Sequence, residues 1–280
     1  MLRNHQTIGE KTMKAFASDL DRTLIFSKKM LEQFPSQEPV ELVERYEGKE
    51  LSYISTKTKE HLLQLKNEVC FLPVTTRTTA QYRRIDLFQH EIKPEFAITA
   101  NGAVILKNNH EVAEWSEKMR KDLTSLPSLQ EVMQEAEALP IYDSVKKVRV
   151  VENYFFYYIV DPTIINHVDP QTLQAWGRAR RWQVSWQGRK IYFIPEVINK
   201  WRAVQYLKEQ LGWTAIVSAG DSYLDQPLVQ NADRGIVPKH GELLNSQMQL
   251  SSTRCPGIKA SIEITKQAIE GLLKKEVDLT

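Results

Sequence analysis

The chain has 280 residues, enough for one large or two modest domains around a substantial core. Hydrophobic residues make up 42% and charged residues 26%, an ordinary globular balance, and a net charge of +2 gives no global field to attract nucleic acid or an anionic membrane. No apolar run would span a bilayer, Met1-Leu2-Arg3-Asn4-His5 lacks the apolar core of a secretory signal, and Cys70 and Cys255 form neither a disulfide framework nor a metal-ligand spacing. A cytoplasmic protein is expected.

Residues up to about Met13 read as an unordered lead-in. Ala15 to Ser18 is a short apolar run and the first expected strand. The segment from Ser27 to Ser55, rich in Glu and Lys and carrying Pro35 and Pro39, reads as a mobile surface loop, with a flap over a site as the alternative. His61, Leu62 and Leu65 fall at helical spacing and predict a helix over Thr58–Lys66, closing at Asn67. Val69 to Val74 is a second buried strand, in which Cys70 serves as a small apolar residue. Thr78 to His90 is amphipathic and predicts a helix, and Phe96 to Thr99 a third strand.

From about residue 109 the pattern changes. A helical stretch, Ser116 to Leu139, leads into strands Val148–Val151 and Tyr154–Val160. A second helix, Pro170–Arg180, precedes a hairpin of Trp182–Trp186 and Lys190–Ile194 turning at Gln187-Gly188. Helix, two strands, helix, two strands predicts an antiparallel sheet with helices on one face. Beyond it, Trp201 to Gln210 is helical and stopped by Gly212, and strands follow at Ala215–Ser218 and Gly235–Val237. The expected fold is therefore α/β: a parallel-sheet core from residues 14–108 and 196–280, with an inserted α+β domain at 109–195.

The polar, reactive residues fall just after the strands, where open α/β sheets bind ligands. Asp19-Leu20-Asp21-Arg22-Thr23 sets two carboxylates two residues apart, a cost that a cation or a reacting phosphate between them would offset. A solvated acidic turn with Thr23 capping a helix is the alternative. Thr75 suits either a phosphoryl oxygen or a helix cap. Lys200 stands at a helix start, where the dipole disfavours cations, so an anionic ligand would account for it unless it is a solvated surface lysine. Gly220-Asp221-Ser222-Tyr223-Leu224-Asp225 delivers two more carboxylates on a tight turn, which alone would be turn chemistry.

Taken in order, Asp19-x-Asp21-x-Thr23, Thr75, Lys200 and Gly220-Asp221-x-x-x-Asp225 resemble the haloacid dehalogenase superfamily of phosphohydrolases. Asn101-Gly102-Ala103 and the inserted helix–strand–strand repeat look like its Cof-type branch with a C2 cap, which includes sugar-phosphate phosphatases such as sucrose-phosphate phosphatase, and phosphomannomutase. The resemblance implies a Rossmann-like core and a Mg²⁺-dependent phosphatase for a small phosphorylated metabolite, of the sugar-phosphate kind, working through an aspartyl-phosphate. Asp19 would be the nucleophile and Asp21 the general acid and base. Thr75 and Lys200 would hold the phosphoryl group, with Thr76, Arg77 and Asn101 also at the substrate. Asp19, Asp21 (through its backbone carbonyl) and Asp221 would hold Mg²⁺, with Asp225 as the fourth residue of the metal site, orienting Lys200 or a metal-bound water. A phosphomutase and a non-catalytic phosphate-ligand-binding protein are the alternatives. No nucleic-acid or membrane partner is implied, and a monomer or weak homodimer is expected.

The chain departs from the family pattern at three positions: Arg22 and Thr76 replace the usual glycines, and Leu224 the usual asparagine. In the cap, Arg149, Arg178, Arg180, Arg181, Trp182, Trp186, Arg189 and Lys190 are the candidates for contact with the leaving group.

Overall fold

The computed structural model describes residues 13–161, 163, 168–246 and 249–273. The expected lead-in, Met13 apart, lies outside them. In chain order the first part contains β1 (Lys14–Ser18), α1 (Lys28–Gln33), β2 (Val40–Tyr46), β3 (Lys49–Ser55), α2 (Thr56–Leu65), β4 (Cys70–Pro73), α3 (Thr79–Tyr82), β5 (Phe96–Thr99), β6 (Val104–Lys107) and β7 (His110–Glu111). The middle contains α4 (Ala113–Leu123), α5 (Leu129–Ala136), β8 (Val145–Val151), β9 (Phe155–Val160), α6 (Pro170–Arg178), β10 (Trp182–Gln187) and β11 (Lys190–Pro195). The last part contains α7 (Lys200–Leu211), β12 (Ala215–Ala219), α8 (Gln226–Asn231), β13 (Arg234–Val237), β14 (Ser251–Ser252) and α9 (Ile258–Leu273).

Five strands form a parallel sheet in the order β14-β13-β12-β1-β4. Ala15, Phe16 and Ala17 of β1, an interior strand flanked by β12 and β4, are wholly buried, as a strand covered on both faces requires. The covering is visible at two adjacent residues of β12. Val217 lies under Gly271 of α9, whereas the Ser218 hydroxyl turns the other way to donate to the Leu228 carbonyl of α8. Ser18 is level with Ala219 on one side and Pro73 on the other. The segments that leave β1, β12 and β4 therefore emerge together at one sheet edge.

A second, antiparallel sheet has the order β10-β11-β9-β8. Alternation splits β9 and β11: Phe156, Tyr158 and Phe193 face a core shared with Trp176 and Trp182, and the Phe156 and Phe193 rings stack at 4.6 Å. Tyr157 and Tyr192 pair on the opposite face, 5.0 Å apart.

The helices differ from expectation where tertiary contacts intervene. Ser116 to Leu139 is two helices, because Pro127 has no N–H to continue the ladder and Ser128 opens α5 with a capping box to Glu131. The first starts early, at Ala113, and Trp115 anchors it by donating to the carbonyls of Gly102 and Ala103. Thr78 to His90 yields only the four residues of α3 and a π-helical turn at Leu87–Glu91. Ile85 between them bridges to Glu44, and Arg84 pairs with the same carboxylate. That partner lies in the segment expected as a mobile loop, which is instead α1 and a β2–β3 hairpin turning through Glu47 and Gly48, both at positive φ. β5 belongs to a separate meander with β6 and β7, touching β4 through a single Val74–Ile98 bridge. No helix among the described residues is long and apolar enough to cross a membrane.

Gly102, at φ 106°, sits where a Cβ would lie 2.3 Å from the Asn199 carbonyl oxygen, so its bareness lets the loop after β5 abut the start of α7. Gly102→Ala is expected to cost about 2–4 kcal/mol in urea unfolding. Gly212→Ala, at φ 69° with open space around it, is expected to cost only about 1 kcal/mol. Equal losses would show that close approach plays no part.

Candidate active site

The sheet edge gathers most of the residues picked out in the sequence. Asp19 follows β1 and continues its pairing, its N–H donating to Ala219 O at 2.9 Å. Its Oδ1 accepts from Lys200 Nζ at 2.6 Å and its Oδ2 from Thr23 Oγ1 at 3.2 Å. Lys200 is the first residue of α7 and only 1% exposed; its ammonium also donates to Asp225 Oδ1. These carboxylates are what offset the unfavourable helix-start position. The Asn199 side chain caps that helix by accepting from the Arg202 N–H.

Asp225 is fully buried, and its Oδ2 accepts from the Asp221 N–H, the Ser222 N–H and the Ser222 hydroxyl. Gly220 makes room for it, since a Cβ there would stand 2.3 Å from that of Asp225. Leu224 is in the core, 2% exposed, so the departure from asparagine leaves this arrangement intact. Oxygens of Asp19, Asp221 and Asp225 lie within 4.8 Å of one another.

Burial and crowding show in the acidities. Burial raises Asp19 to about 7, with Asp225 and Asp21 adding to the rise and Lys200 opposing it. Burial also raises Asp221 well above the carboxylate range, helped by Asp19 and Asp225. Lys200 loses by burial, yet Asp19 and Asp225 more than restore its charge. A cluster with more negative than positive charge in low dielectric is suited to a hard divalent cation, for which carboxylate oxygens are the matching donors.

Asp21 stands apart from this cluster. Burial favours its neutral form, but Arg77 outweighs that, with Lys190 and Lys200 helping, and holds the carboxyl below the usual range. The guanidinium spans Asp21 with two bonds of 2.7 Å. It reaches Glu44 Oε2 at 2.8 Å and Ser52 Oγ at 3.2 Å on the β2–β3 hairpin. Arg77, expected at the substrate, thus engages protein carboxylates. Thr75 is buried and accepts from the Arg77 N–H; Thr76 is half-buried beside it. Asn101, at φ 57°, bonds its N–H to Thr75 O, while its buried side-chain amide has no partner for oxygen or nitrogen. A buried side-chain amide beside Thr75, without a protein partner among the described residues, suits a polar ligand.

The antiparallel sheet lies over these groups. Tyr192 feels the charges of Asp21, Asp19 and Asp221, and Lys190 acts electrostatically on Asp21. The Lys190 ammonium sits 5.4 Å from the Tyr157 ring centre and 6.0 Å from that of Tyr192. Arg149 acts on Tyr157. Other cap candidates are occupied elsewhere: Arg180 pairs with Glu135 and stacks on Trp176, Arg181 pairs with Glu196, and Trp182 is core. Glu152, at the tip between β8 and β9, accepts from the Thr79 N–H at 2.7 Å and the Thr79 hydroxyl at 3.3 Å. Sequence reasoning missed Glu44, Ser52 and Glu152, which carry no motif; Tyr157 and Tyr192 were legible only as strand residues.

A parallel sheet bearing this ordered set at its edge beneath an antiparallel lid defines the haloacid dehalogenase class of phosphohydrolases. The sucrose-6F-phosphate phosphohydrolase family profile matches residues 12–273, and the chain belongs to that family. It is accordingly a phosphoric monoester hydrolase. Among solved structures it is similar to the sucrose-phosphatase of Synechocystis sp. PCC6803 in complex with sucrose and phosphate, with 17% identity, a TM-score of 0.64, and 93% of this chain and 98% of that one covered. It is also similar to a haloacid dehalogenase-like hydrolase from Bacillus subtilis, at 13% identity, TM-score 0.54 and coverage of 94% and 93%. A trehalose-6-phosphate phosphatase related protein matches at 15% identity, TM-score 0.52 and coverage of 93% and 100%. No curated protein sequence matches significantly.

Replacing Arg77 with Gln is expected to move the Asp21 carboxyl upward, read from the side-chain carbon shift in a ¹³C NMR titration. The lowered Asp21 pKa contributes stability above the unfolded-state pKa that is lost as pH falls through the folded one. The variant should therefore show a shallower loss of stability in acid. An unmoved Asp21 would rule out Arg77 as the cause.

Proposed function

We propose that the protein is a Mg²⁺-dependent sugar-phosphate phosphatase acting on a phosphorylated disaccharide of the sucrose 6-phosphate type. The observation that carries this is the buried meeting of Asp19, Lys200, Thr23, Asp221 and Asp225 at one sheet edge, together with the family to which the chain belongs. Asp19 attacks phosphorus in line and takes up the phosphoryl group, the sugar oxygen leaving with a proton from Asp21. Asp21 then removes a proton from the water that hydrolyses the aspartyl-phosphate. In the ligand-free protein Arg77 keeps Asp21 ionised; an arriving dianionic phosphate raises its proton affinity and readies it as an acid.

Lys200, Thr75 and the unpaired amide of Asn101 take the phosphoryl oxygens and the charge that develops on them. Asp19, Asp221 and the Asp21 carbonyl hold the cation, which when bound draws the dianionic phosphate to a carboxylate that would otherwise repel it. Asp225 orients Lys200 and the Asp221 turn rather than giving up its four accepted bonds. The lid of residues 109–195 supplies the leaving-group pocket, with Tyr157 and Tyr192 offering aromatic surface and Lys190 and Arg149 donors for hydroxyls.

Phosphate release from sucrose 6-phosphate, trehalose 6-phosphate and hexose 6-phosphates, with Mg²⁺ and with EDTA, tests the proposal. Release is expected to be fastest with a disaccharide phosphate and lost in EDTA. Asp19→Asn should lower it by about 10³-fold or more. Full activity in that variant would remove the nucleophile assignment, and an isomerised sugar phosphate in place of free phosphate would make the protein a mutase.

A further inference from the structure

Arg22 follows directly on the second carboxylate of the Asp19-Leu20-Asp21 stretch, and its surroundings are built to hold it. Its backbone is left-handed, at φ 65°, a conformation costly for a residue with a Cβ. Two contacts fix it there. The Arg22 N–H donates to Ile25 O at 2.8 Å, and the carbonyl accepts from His240 Nε2 at 2.8 Å. The His240 tautomer follows from its other nitrogen, because Nδ1 accepts from the Gly257 N–H at 2.9 Å and Nε2 must carry the proton. Phe26 and Phe34 pack against the imidazole.

The guanidinium held in this way points to the acidic cluster. Its Nε lies 2.8 Å from Asp221 Oδ2, and this is the one ion pair the Asp221 carboxylate makes among the described residues. The contact is one of charge more than of hydrogen bonding, since the buried Nε–H is not aimed at an acceptor. Asp221 is 7% exposed on its side chain but Arg22 is 41% exposed, so the cation can swing outward while the carboxylate stays.

We propose that Arg22 is a tethered cation that stands in for the divalent ion at Asp221 and must be displaced for the ion to bind. This rests on the metal reading given above. The guanidinium neutralises a carboxylate that neither Lys200 nor Arg77 touches, keeping the crowded acids together before the ion arrives. A divalent ion needs an Asp221 oxygen at close range, and a guanidinium beside the same carboxylate opposes it by charge and by space. The protein therefore trades ion affinity for a preformed site, and loading is coupled to a side-chain movement at the mouth of the cleft.

Mn²⁺ binding measured directly, by the loss of the free-ion EPR signal, tests this in wild-type protein and three variants. Arg22→Gln keeps the length and the strained backbone but removes the charge; Arg22→Gly removes both charge and strain; Arg22→Lys keeps the charge. The Gln and Gly variants are expected to bind Mn²⁺ roughly tenfold more tightly than wild type, and the Lys variant within about twofold of it. In wild type the Arg22 Nε–H resonance should shift as Mg²⁺ is added. Equal or weaker binding in Arg22→Gln overturns the competition alone. Absence of binding in every form overturns the metal reading with it.

Discussion

One ammonium group organises the site. Lys200 is buried at the start of α7, donating to Asp19 and Asp225, and Asp225 in turn accepts from the Asp221–Ser222 turn. Buried charges tolerate such a position only when every partner is in place, because loss of one leaves the others uncompensated in low dielectric. The strand register that levels Ser18 with Ala219 and Pro73, the bare Gly102 against Asn199 and the bare Gly220 against Asp225 all serve that closure. The same crowding leaves surplus negative charge around Asp19 and Asp221, so a donor set that could hold a cation is a by-product of how the fold holds its lysine.

Asp19 and Asp21 are two residues apart and chemically opposite. Burial among carboxylates lifts the first, and a bidentate arginine depresses the second. Environments that push neighbouring acids apart let one sheet edge hold two carboxyls of different proton affinity, as the proposed division of labour between them requires. The arginine responsible is itself held from outside the parallel sheet, by Glu44 and Ser52 on the hairpin after α1. That hairpin therefore acts on the site through Arg77, and Arg84 and the Ile85 bridge bind it to the segment after α3.

Much of this was legible in the sequence. The gathering of Asp19, Thr75 and Asp221 at one place was legible because short apolar runs end in charged or polar residues, and strands of a parallel sheet end at a common edge. Hairpin and strand positions such as Lys190–Ile194, which the structure extends by one residue to Pro195, were read from the chain directly. What could not be read were partnerships made across long sequence separation. Glu44 looks like one more surface glutamate until Arg77 and Arg84 close on it, and the helix expected over Thr78–His90 is broken by that contact rather than by any local breaker. Pro127 was a visible signal passed over inside an otherwise helical pattern. Arg22 was noticed as a departure, but its destination depended on a histidine more than two hundred residues away.

The hold of Glu152 on Thr79 has a mechanical meaning. That carboxylate belongs to the lid, yet it satisfies the first free amide of the short helix that follows Thr75-Thr76-Arg77. Glu152 thereby ties the antiparallel sheet to the helix that follows Thr75, so a shift of one bears directly on the other.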